Sequence, residues 1–253
     1  MYNFQEHLYQ SEKIREIRTA VYQSAGYFVI KDFLPRPLVN SLRQRWLNGE
    51  VDYYFDSFYK NTQVNFDTPN YLIKGASDGD RSYCINIWNP APDSQLQDIA
   101  IEANKIRNIV EGRPRYFATR TCDDLVLQYR LSRTVSSGFA VKKHADFFEE
   151  FRPDPAGDHS FDPKRCQLTL FLSDYGQDYS QGGFHFHNNA GEEVLFGRDV
   201  PVAAGDLVIW KYSNIHSVRE VKALDQLTGF SRIIFPQFDN MAKNKRNKQR
   251  EQS

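Results

Sequence analysis

The chain has 253 residues, enough for one large domain with an ample core. A hydrophobic fraction of 40% beside 25% charged residues excludes a disordered chain, and 32 Lys and Arg against 32 Asp and Glu argue against a nucleic-acid binder working by bulk attraction. No long apolar run and no N-terminal apolar segment occur, so neither a membrane-spanning helix nor a secretory signal is expected. Three widely spaced cysteines, Cys84, Cys122 and Cys166, give neither a disulfide framework nor a cysteine-rich zinc site. They point to a reducing compartment, the cytoplasm.

In sequence order, residues 11–25 carry Ile14, Ile17, Val21 and Ala25 at helical spacing, with Ser11 as the expected N-cap and Gly26 as the stop. A short strand, YFVIKDFL, follows. Pro35 opens a second helix with Leu38, Leu42 and Trp46 on one face. Residues 49–95 show no clear period and read as long loops with one short strand at SYCINIW. Residues 95–111 are helical again.

From 123 the pattern changes to short strands at 125–132, 139–144, 166–173, 182–188, 193–196, 206–211, 216–221 and 230–238, separated by Gly, Asp, Asn and Ser turns. Such a series suggests a double-sheet jelly roll, with the preceding helices packed on one outer face. The expected organisation is a single domain over 1–240, its helical and loop part at 1–122 and its strand core at 123–238. A basic, frayed tail at 241–253 follows.

The chemistry-bearing constellation is His144-Ala145-Asp146 at the end of the second core strand and His216 at the start of the seventh. Two imidazoles and one carboxylate on one face of an octahedron leave the opposite positions open, which suits a non-haem Fe(II) that must take a co-substrate and O₂ together. Arg232, on the next and last strand, lies in an apolar run, where its charge needs an anionic partner. A guanidinium can grip a carboxylate by two parallel hydrogen bonds.

The order His-x-Asp, distal His, then Arg on eight expected strands resembles the Fe(II)- and 2-oxoglutarate-dependent dioxygenases, in particular the prolyl-4-hydroxylase-like and phytanoyl-CoA-hydroxylase-like branches. The segment from Gly26 to Leu34, Tyr129, Thr169 and Leu172, Gly182-Gly183-Phe184 and the stretch GDLVIW share in that resemblance. It implies a jelly roll with Fe(II), 2-oxoglutarate and O₂ as cofactor and co-substrates. It implies His144, Asp146 and His216 as iron ligands and Arg232 as partner of the distal carboxylate of 2-oxoglutarate, with Tyr129 and Thr169 as hydroxyl donors. Related halogenases carry a small residue at the carboxylate position, so Asp146 implies hydroxylation, or else desaturation or ring chemistry from the same oxidant. The sequence departs from the pattern in three places. Tyr129 stands far from His144, an extra turn separates His216 from Arg232, and Ile234 occupies the position two after Arg232 where a hydroxyl is usual.

Candidate substrate residues are Trp88, Phe147, Arg81 and His185, and the polar insert 149–165 could act as a lid. The expected substrate is a small molecule, free or carrier-bound, with no nucleic acid or membrane partner. Two other readings remain open. A cupin-type metal site would use His185, His187, Glu192 and His216 without 2-oxoglutarate. A non-catalytic jelly-roll binding module would offer Trp88, Trp210 and the tyrosines of 52–59.

Overall fold

The computed structural model describes residues 6–47, 70–74, 82–87, 94–120, 123, 125–127, 129–135, 141–146, 164–225 and 227–239. A 3-10 turn, Glu6–Tyr9, leads into α1 (Ser11–Gln23). Ser11 is therefore the first helical residue and not the cap. Gln10 holds that position without capping through its side group, and its carbonyl accepts the N–H of Ile14. The backbone leaves the helix at Gly26, whose N–H reaches back to the carbonyl of Ala20. Its φ of +83° suits glycine, and a Cβ there would stand 2.7 Å from Asn214 Nδ2. β1 (Tyr27–Ile30) and α2 (Arg36–Leu47) follow.

β2 (Asn70–Lys74) and β3 (Ser82–Ile87) are paired with each other. The sequence indicated the second and not the first. α3 spans Ser94–Glu111. The strand core comprises β4 (Leu125–Leu127), β5 (Tyr129–Thr134), β6 (Val141–His144), β7 (Cys166–Phe171), β8 (Gly183–His187), β9 (Glu193–Leu195), β10 (Leu207–Lys211), β11 (His216–Arg219), β12 (Phe230–Ile234) and β13 (Gln237–Asp239). The first and last expected strands are thus each divided. Pro236 cannot donate to a ladder, so the 230–238 run breaks there, and β13 pairs with β4 instead.

One sheet has the order β1-β10-β7-β12-β5-β3-β2 and the other β6-β11-β8-β9. Core strands β5 to β12 thus alternate between the two sheets, except that β8 and β9 are neighbours. That is a double-stranded β-helix. Its larger sheet is covered on both faces, so every residue of the central β7 is buried, the polar Gln167 and Thr169 included. On the outer face Leu131, Leu168, Leu170, Leu207, Ile209 and Ile233 pack against the helices, which contribute Ile14, Ile17 and Val21 from α1 and Ile99, Ala103 and Ile106 from α3. The helices therefore cover one outer face, as the sequence indicated. On the inner face Phe171, Val208, Trp210 and Phe230 meet Phe184, Phe186, Val218 and Phe196. Among the described residues no helix is long and apolar enough to cross a membrane.

Salt bridges from α2 and from the turn before it tie this segment to the strand core. Arg36 grips Asp174 at 2.5 and 3.2 Å, and Arg43 donates to Asp178 at 3.2 Å and to Thr228 Oγ1 at 2.6 Å. Lys31 and the Asp32 N–H bind Asp206 at 2.8 and 2.9 Å. Burial alone would raise the Asp174 carboxyl, but the Arg36 fork, the Ala204 N–H and Arg43 outweigh it and hold it below the usual carboxylate range. A depressed folded value means stability that is full above the unfolded range and lost as pH falls. Asp174→Asn is expected to cost on the order of 1 kcal/mol at pH 7, with the difference from the parent closing below about pH 4. Melting temperatures of both proteins between pH 7 and 3 check this. A gap that stays constant with pH contradicts it.

Candidate metal centre

β6 and β11 are antiparallel neighbours, and their register sets His144 directly opposite His216, with a register shift just beyond that pair. β6 ends at His144. Asp146 is therefore in the bend that follows and does not share a strand with His144, yet it still turns towards both histidines. Its carboxylate oxygens lie 3.5 Å from His144 Nε2 and 3.7 Å from His216 Nε2. One ligand atom from each of the three residues falls within 4.8 Å of the others, and among the described residues this is the only such group.

The far side of each ring is tied down. His144 Nδ1–H donates to the Lys142 carbonyl at 2.6 Å, and His216 Nδ1–H donates to the Asn214 carbonyl at 3.0 Å. With Nδ1–H so used, the neutral ring keeps its Nε2 lone pair for a metal, and the protonated ring donates Nε2–H towards Asp146. Asn214 is itself placed by bonds from its Nδ2 to the His187 carbonyl and Asn189 Oδ1, at 2.9 and 3.1 Å, beside Gly26. The rings differ in setting. The hydrogen bond to Asp146 raises His144 above the usual imidazole range, whereas burial pushes His216 below it. Trp210 stands edge-on to His216 with ring centroids 4.6 Å apart, and its indole N–H donates to Thr169 Oγ1 at 3.1 Å. Sequence reasoning valued Trp210 only as part of GDLVIW or as a stacking surface. Its position one strand before His216, on the inward alternation of β10, was the available signal.

Arg232 is only 6% exposed. Its guanidinium lies over the rings of Phe184 and Phe230, at 5.3 and 5.2 Å, between the two sheets. Its charge is felt at His216, where it adds to the lowering caused by burial. β12 pairs with β5 on one side and β7 on the other, so Ser132 and Phe171 flank Arg232, while Thr169 flanks Ile234 one row nearer the triad. Thr169 is inward-facing and fully buried. Tyr129 begins β5, and its side chain lies outside the described residues.

His185 is not brought to this centre. Phe184 and Phe186 point inward, so alternation sends His185 and His187 to the outer face of the smaller sheet. There His185 Nδ1 and His187 Nε2 each lie 3.3 Å from Glu193, which also accepts a hydrogen bond from Arg219 at 2.5 Å. The same geometry removes the cupin-type ligand set, whose HxH pair would have to share a face with His216. Trp88, Phe147, Arg81 and most of the insert 149–165 lie outside the described residues.

The donor set passes a chemical test for Fe(II). It offers two imidazole nitrogens with fixed tautomers and one carboxylate, which suits an iron site with open positions. The trio thus stands at the rim of the smaller sheet of a double-stranded β-helix. No family model matches the sequence, and no curated protein matches it. Among solved structures it is similar to a prolyl-4-hydroxylase from Pseudomonas putida, at 17% identity over 89% of this protein and 97% of the other, with a TM-score of 0.50. It is likewise similar to the non-haem, α-ketoglutarate-dependent carbocyclase SnoK of nogalamycin biosynthesis, at 13% identity over 89% and 83%, with a TM-score of 0.52. Likeness at such identities establishes the fold.

Proposed function

We propose that the protein is an Fe(II)- and 2-oxoglutarate-dependent dioxygenase that hydroxylates an unactivated C–H bond of a small biosynthetic molecule, free or carrier-bound. The observation that carries this reading is the His144–Asp146–His216 trio with both Nδ1–H groups bonded to backbone carbonyls. Bound iron supplies the activation of O₂: 2-oxoglutarate goes to succinate and CO₂, and the second oxygen atom enters the substrate as hydroxyl.

The protein's own contributions follow from placement. His144, Asp146 and His216 hold the metal. Their backbone bonds set the ring orientations before metal arrives, so little ordering remains when it binds. Arg232, framed by Phe184 and Phe230, takes the distal carboxylate of 2-oxoglutarate. Thr169 accepts from Trp210 and keeps its own O–H to donate. The aromatic wall of Trp210, Phe184 and Phe186 keeps water from the inner side of His216. The prolyl-4-hydroxylase on the same fold supports a hydroxylation, and the carbocyclase of nogalamycin biosynthesis supports a biosynthetic substrate.

The test is a mass-spectrometric screen with Fe(II), 2-oxoglutarate and O₂, reading succinate together with a substrate gaining one oxygen. Succinate formed in step with one oxygenated product supports the proposal. Succinate formation that is absent with every candidate, or that does not depend on iron, sinks it.

A further inference from the structure

We infer that Thr134, on β5, donates its hydroxyl to the same distal carboxylate that Arg232 binds. The inference rests on the reading just proposed and adds to it a residue on a different strand. Thr134 is only 1% exposed, and its buried Oγ1 has no hydrogen-bond partner among the described residues. A buried hydroxyl left so is destabilising, which points to an acceptor that the described residues do not supply.

The register supplies the location. Thr134 pairs with Phe230 and Ser132 with Arg232, so the four positions occupy one face of adjacent strands. That face is the inner one, because Phe230 belongs to the core between the sheets. The Arg232 guanidinium lies over the Phe230 ring, 5.2 Å from its centroid, and Phe230 is the cross-strand partner of Thr134. An anion seated on the guanidinium meets a hydroxyl donor from the adjacent strand, in aromatic surroundings that exclude water and strengthen both bonds. Thr134 thus answers the departure at Ile234. Where the resembling family sets a hydroxyl two residues along from the arginine, this protein sets one across the ladder.

Thr134→Val keeps the shape and removes the donor, and Thr134→Ser keeps the donor. The probes are Fe(II) and 2-oxoglutarate, titrated under nitrogen through the metal-to-ligand absorption band. 2-Oxobutanoate, which lacks the distal carboxylate, is the control ligand. Thr134→Val should weaken 2-oxoglutarate about 10-fold while leaving Fe(II) affinity and 2-oxobutanoate affinity unchanged. Thr134→Ser should stay within about 3-fold of the parent. Thr134→Ala repeats the test if valine lowers the melting temperature.

Parent-like 2-oxoglutarate affinity in Thr134→Val, alongside a large loss in Arg232→Ala, overturns this inference alone. An equal loss for both ligands overturns it too, since that marks a packing effect. A parent protein whose iron form ignores 2-oxoglutarate overturns the functional reading and this inference with it.

Discussion

Replacing His144, Asp146 or His216 by alanine is expected to abolish turnover and to weaken Fe(II) binding on the order of 100-fold or more. Losing a partner that merely orients a metal ligand typically costs roughly 10–100-fold in affinity, so losing the ligand itself should cost at least as much. The fold should survive each change. His144 is half-buried at a strand end, Asp146 is in a bend, and His216, although only 7% exposed, begins its strand at the sheet rim. Alanine also leaves the β6–β11 ladder in place, because those bonds are backbone bonds. Iron content after anaerobic loading, read beside circular dichroism, gives the answer. Full iron affinity in any one variant removes that residue from the ligand set.

Arg232→Ala should lower 2-oxoglutarate affinity about 30-fold or more while leaving Fe(II) binding intact. Cutting one partner of a desolvated charge pair typically costs ~2–5 kcal/mol, and ~1.4 kcal/mol is tenfold. Arg232→Lys keeps the charge and loses the two-pronged geometry, so it should lose less. The separation from iron binding follows from placement: Arg232 is on β12 of the larger sheet, whereas His144 and His216 are on the smaller one. Parent-like affinity in Arg232→Ala would assign the carboxylate to another cation.

Much of the fold was legible because hydrophobic period reports directly on burial. The 13-residue α1 shows its Ile14, Ile17 and Val21 stripe plainly, and the core strands show theirs between turn residues. β2 was not legible. NYLIK is short and pairs only with β3 at the sheet edge, so nothing in its own sequence separates it from a loop. The cap of α1 was missed because a preceding 3-10 turn, which has no strong pattern, displaced it by one residue.

At the site, the His144–Asp146–His216 trio and Arg232 were visible as residue types in a telling order. Their phase was harder. HxH has the same spacing whichever face it occupies, and only the inward Phe184 and Phe186 settle that His185 faces away. The backbone anchors at Lys142 and Asn214 left no sequence signal, since any residue carries a carbonyl. Thr134 was illegible for a related reason. A threonine in a strand is ordinary until the register shows an arginine on the same face of the neighbouring strand.

The central claim is that one centre binds both metal and keto acid, and an anaerobic titration tests it most directly. The purified protein is loaded with Fe(II) and titrated with 2-oxoglutarate, and the visible absorption band and both stoichiometries are measured in the parent and in His216→Ala. The account predicts one iron and one 2-oxoglutarate per protein molecule, with a band that appears in the parent and is lost in His216→Ala. Metal binding that persists in His216→Ala, or an iron spectrum that 2-oxoglutarate leaves unchanged, would contradict it.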